Sequence, residues 1–104
     1  MNATADAEVL RLTGALDFET LPGVIAQADR YVAQPQLPAR LAIDFSGVTG
    51  VDSSAVALLL EWRRRAAERG VALEFVDLPP NLLALAELYG VARIIQPPAD
   101  AATP

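Results

Sequence analysis

Three consecutive side chains, Asp52, Ser53 and Ser54, form the chemistry-bearing cluster of this chain. A carboxylate beside two hydroxyls can cap a helix, carry a phosphate on a hydroxyl, or hold a cation with a second carboxylate such as Asp44. Capping is the ordinary use, since Ser and Asp are preferred where a helix begins. Only one residue can be the N-cap, so at least one of the two hydroxyls is spare and lies at an exposed helix tip. A phosphate added there would meet unpaired N–H groups and the positive end of the helix dipole.

The residue types that are missing narrow the chemistry further. The chain has no cysteine, histidine or lysine, and its eight basic residues are all arginine. Thiol nucleophiles, disulfides, zinc sites built on Cys and His, an imidazole base, Schiff-base chemistry and a P-loop lysine all drop out. An enzyme using Asp44 and Asp52 around a metal, with Ser53 as nucleophile, would want a lysine for receiver-like phosphotransfer, and none exists. We expect no catalytic residue, no metal and no cofactor. A net charge of −5 argues against nucleic acid and against docking on anionic lipid. The longest apolar run, residues 55–60, is too short to span a bilayer, and no signal segment opens the chain. Direct membrane insertion is not expected, and a cytoplasmic location is.

At 104 residues and 53% hydrophobic, the chain reads as one folded domain, with residues 1–7 and 97–104 as flexible ends. Residues 9–13 alternate as a strand with Leu10 and Leu12 on one face, and residues 14–17 prolong or bend it. Thr20 is a candidate N-cap for a helix whose apolar stripe is Leu21, Val24, Ile25, Ala28 and Val32. After a proline-bearing loop, residues 34–38, comes an almost wholly apolar strand, 41–45, of the kind covered on both faces. Its one charge, Asp44, is expected to pair with backbone or hydroxyl groups at the strand's end. A turn punctuated by Gly47 and Gly50 leads to the Asp-Ser-Ser cluster.

The central helix then runs from about Ser54 to Arg69 and stops at Gly70. Ala55, Leu58, Leu59, Trp62 and Ala66 form its core stripe. Val56, Ala57 and Leu60 add apolar surface outside that stripe, before any charge appears. Either the helix is sunk deeper into the domain, or it has a second face for a partner, built from Ser53, Ser54, Ala57, Leu60, Glu61 and Arg64. Arg63, Arg64 and Arg65 read as a solvated face, with Glu61 able to pair with Arg65. Residues 71–76 alternate as a third strand, and a Pro-Pro turn opens a helix over 82–89, on which Tyr89 is expected to pack. An extended piece, 92–95, precedes a tail broken by Pro97 and Pro98. Strand, helix, strand, helix, strand, helix predicts an α/β fold, a small parallel or mixed sheet with helices packed on it.

Across residues 51–60, Val-Asp-Ser-Ser-Ala-Val-Ala-Leu-Leu-Leu, the chain resembles the STAS domain, named for sulfate transporters and anti-sigma factor antagonists. The similarity extends to residues 12–17, 41–46 and 85–91, and so over nearly the whole chain. In the antagonist branch the second serine, matched by Ser54, is phosphorylated by the partner kinase, which releases the partner. Ala55 stands where that branch has glycine. The stretches 58–66 and 83–91 look more like the MlaB-type subunit of the Gram-negative phospholipid ABC transporter that maintains outer-membrane lipid asymmetry. In that branch the hydroxyl directly after the aspartate, here Ser53, is the one implicated. The resemblance implies a non-catalytic domain that binds the transporter's cytoplasmic MlaF-like ATPase subunit, within a complex holding permease and substrate-binding subunits at the inner membrane.

Overall fold

Apolar alternation on three segments builds one sheet, and each strand stops just before an aspartate, Asp17, Asp52 or Asp77. The computed structural model describes residues 7–97, arranged as β1 (Ala7–Leu16), α1 (Leu21–Val32), β2 (Arg40–Val51), α2 (Ser53–Arg69), β3 (Ala72–Val76), α3 (Pro80–Leu88) and α4 (Ala92–Ile95). The flexible ends expected of the sequence otherwise lie outside these residues, but Ala7 already pairs with Arg40 in the sheet. The strand order is β1-β2-β3, and both pairings are parallel.

The registers place Leu10 beside Ile43 and Phe75 on the same rung, and Leu41 beside Leu73. Side chains alternate across a strand, so Leu10, Leu12, Leu41, Ile43, Phe45, Leu73 and Phe75 share one face. That face carries the core, in which Phe45 and Phe75 meet edge to face at 5.6 Å between ring centroids. The opposite face presents Val9, Arg11, Thr13, Ala72 and Glu74 to solvent. Among the described residues the architecture is therefore two layers, with no helix over the outer face of β2, against the expectation that the second strand is covered on both faces. Ala42 and Asp44 on its outer face stay half-buried.

The turn expected at Gly47 and Gly50 is strand. β2 spends twelve residues against ten of β1, and the register slips between Arg11 and Thr13 and again between Gly14 and Ala15. Bulges absorb the surplus, and at Gly47 a side chain would crowd the neighbouring backbone. A Cβ on Gly47 would stand 2.8 Å from the Leu12 carbonyl oxygen.

α2 is the buried element of the helical layer. Ala55, Val56, Leu58 and Leu59 are all buried against the sheet, with Leu82 and Ala86 of α3 and Ile95 of α4 completing the cluster. Gly70 ends the helix in the left-handed region, φ 71°, as its position predicts. α3 starts two residues earlier than expected because Pro80 fits a first turn, which has no internal N–H partners to lose. Tyr89, expected to pack, is 52% exposed. Residues 92–95, expected as extended, form one helical turn, with the N–H groups of Ile94 and Ile95 both donating to the Val91 carbonyl. Four residues are too few for a period to show.

Candidate functional site

β2 ends at Val51, and Asp52 turns the chain into α2 with an extended backbone, φ −135° and ψ −174°. Its carbonyl accepts the Ala55 N–H at 3.0 Å, and its side chain is the cap. Asp52 Oδ1 accepts the Ser54 N–H at 2.9 Å and also the Ser54 hydroxyl proton. Asp52 Oδ2 accepts the Phe18 N–H at 3.0 Å, from a residue 34 positions away. One carboxylate thus fixes both the start of α2 and the loop after β1. Bonding to Ser54 first, and then to Phe18, holds the Asp52 carboxyl below the usual carboxylate range, because every one of these donors favours the ionised form.

The loop is rigidified by its own side chains. Asp17 Oδ1 accepts the N–H groups of Glu19 and Thr20, each at 3.0 Å. The Thr20 hydroxyl accepts the Asp17 N–H and donates to the Ala15 carbonyl at 2.8 Å. Thr20 sits at the N-cap position of α1 as predicted, but its hydroxyl is spent on the loop rather than on the helix. The consequence is that Phe18 is held outward, 78% exposed, beside the tip of α2.

The residues singled out in sequence fall into two groups. Ser53, Ala57 and Arg64 are exposed; Ser54, Leu60 and Glu61 are half-buried. Ser53, Ala57, Glu61 and Arg64 follow the i, i+4, i+8, i+11 spacing of one helix stripe. Arg64 is tied to Glu61 and Glu68, and Arg65 reaches Glu61 at 3.0 Å, the pairing expected. Val56 does not belong to this surface. It is 3% exposed, so part of the apolar excess on α2 is core, and Leu60 likewise packs against the core.

Apolar exposure at the site comes instead from across the groove between α1 and α2, which Leu21, Ile25, Ala57, Leu58 and Glu61 line. Phe18 and Ile25 are the residues that sequence reasoning missed. The available signal was an aromatic set between Asp17 and Glu19 in a polar turn, where no core stripe accounts for it.

Two further readings are corrected or sharpened. Arg63 is not part of a solvated face: its Nε donates to the Ile95 carbonyl at 2.8 Å, its Nη1 to the Leu73 carbonyl, and its guanidinium lies 4.7 Å from the Phe75 ring centroid. Burial pushes its pKa down from the ordinary arginine value. Asp44, expected at a strand's end, lies in the middle of β2 instead; its Oδ1 accepts the Ser46 N–H at 2.9 Å, the backbone pairing expected, and that bond lowers its pKa. Among the described residues no group of three or more acidic, His or Cys side chains is arranged to hold a metal ion.

A family model described as "Mlab, STAS domain" matches residues 1–97. Among solved structures, the anti-sigma factor antagonist SpoIIAA in its unphosphorylated form is similar, with a TM-score of 0.68 and 21% identity over 88% of this chain and 79% of that one. A comparison with curated proteins finds no match. The likeness to SpoIIAA is one of fold, while the family match spans all but the last few residues and takes in the capped serine tip; the chain belongs to the STAS domain family.

Proposed function

We infer that this domain is a non-catalytic docking subunit that seats on the ATPase of a Gram-negative phospholipid ABC transporter, peripheral to the inner membrane on its cytoplasmic side. The observation that carries the reading is the exposed Phe18, whose backbone N–H is held by Asp52 at the tip of α2 that carries the exposed Ser53 and Ala57 stripe. An aromatic anchor next to spare polar groups is the pattern of an interface centre, and rigid loops lower the ordering cost of binding. The MlaB label of the family model supports the transporter branch. The antagonist reading, with phosphate on Ser54, meets a half-buried hydroxyl already donated to Asp52, so modification would break that bond and set phosphate against a carboxylate. Ser53, by contrast, is exposed.

The test is co-purification of the tagged chain from membranes. Wild type is expected to bring the transporter ATPase with it, and Ser53→Asp or Phe18→Glu to lose it, while either variant melts within a few degrees of wild type because both sites are exposed. Recovery of an anti-sigma kinase in place of the ATPase would sink the reading.

A further inference from the structure

α1 presents Val24, Ala28 and Val32 toward the sheet, yet no residue of this helix is buried. Between it and the strands lies a cavity of about 280 Å³, close to the lower bound of ~300 Å³ typical of small-molecule sites. Leu12, Leu41, Ile43 and Leu73 form its floor and Trp62 its side wall. The charged residues that line it are Arg11, Arg65 and Arg69, and no carboxylate does.

Arg65 and Arg69 stand one helical turn apart on α2, and both line the cavity. Arg69 is exposed and donates to the Val32 carbonyl at 2.7 Å, and Arg65 bonds Asp29 at 2.6 Å and Glu61 at 3.0 Å. A guanidinium has five N–H donors, so both retain donors for an incoming anion. The roof is held by polar ties at its rim, Arg65 to Asp29, Arg69 to the Val32 carbonyl and the Tyr31 hydroxyl to Glu8. Such ties open individually without unpacking the buried cluster, because α1 places no fully buried residue in it and touches it only through the half-buried Leu21 and Val24.

We propose that this cavity binds a medium-chain fatty acid, its alkyl chain on the leucine floor beside Trp62 and its carboxylate on Arg69 and Arg65. A planar fork of N–H donors matches a carboxylate, and the floor offers an extended chain nothing but apolar contact. Trp62 is the chain's one tryptophan, so its fluorescence reports occupancy directly.

The experiment titrates the full chain with sodium decanoate and separately with decanol. Decanoate is expected to give a saturable change in Trp62 fluorescence at one equivalent, with decanol about tenfold weaker because it cannot engage a guanidinium as an ion. Arg69→Gln should weaken decanoate about tenfold and leave decanol unchanged. Ala66→Phe, which fills the space, should abolish both, and Val24→Phe gives the same block from the roof should the first variant fail to fold. Absence of a saturable change in wild type, equal affinity for decanol and decanoate, or undiminished binding in a folded cavity-filling variant would each overturn the proposal.

Discussion

Asp52 divides its two oxygens between the helix it starts and the loop it anchors, and that division makes it sensitive to acid. An unfolded aspartate titrates near ~3.9, whereas the folded carboxyl titrates below that. The stabilisation is therefore fully present above the unfolded value and is lost as pH falls through the folded one. Asp52→Asn should be less stable than wild type at neutral pH, and the gap should narrow as pH drops below about 4. Urea unfolding of both proteins at neutral and acid pH measures this. A gap that stays constant would mean the carboxylate's charge is not what the cap uses. Asp44 and Glu61 shift in the same direction but are common to both proteins, so they cancel in the difference.

At the scale of elements, the bulged pairing of β1 with β2 explains why two glycines looked like a turn. Gly47 is confined: an added Cβ would stand 2.8 Å from the Leu12 carbonyl oxygen and 2.9 Å from Thr13 Cγ2, whereas one on Gly50 meets nothing within 4 Å. Gly47→Ala is expected to cost about 1–3 kcal/mol, as overpacking against backbone does, and Gly50→Ala close to nothing. Equal urea midpoints for the two variants would show that the close approach is not what sets glycine there. The sequence displayed the glycines but not the partner strand that gives them meaning. The same holds for Arg63, whose carbonyl acceptors sit on β3 and α4 and whose ring neighbour is Phe75. By contrast the start and stop of α2 were legible, because caps are local: Asp52 and Gly70 act within a residue or two of themselves. Of the site, the serine stripe was readable from helical spacing, and Phe18 was not, because only a bond across 34 positions brings it there.

Over the whole molecule, packing is uneven. α2 buries four residues in the cluster it shares with the sheet, α3 and α4, while α1 buries none and bridges a cavity. Amide exchange should therefore reach residues 21–32 of α1 well before residues 53–69 of α2, since opening α1 exposes little core. Mass spectrometry of exchange on the intact domain measures it, and synchronous exchange of the two helices would show that the cavity is closed in solution. The burial of Val56 belongs to this same asymmetry: apolar residues that periodicity placed outside the core stripe were claimed by the deeper seat of α2.

The outermost strand has a consequence for the chain's behaviour among its own copies. β1 is at the border of the sheet, and among the described residues no strand covers its far side. The peptide groups of this ten-residue strand that point away from β2 invite a neighbouring chain to add to it and seed fibres. The two slips in register coil the ribbon so that a straight strand fits it poorly, and Arg11, exposed in the middle, sets charge against charge when two such borders meet. Resistance to aggregation is thus written into the same irregular pairing that brings Asp52 to the end of β2.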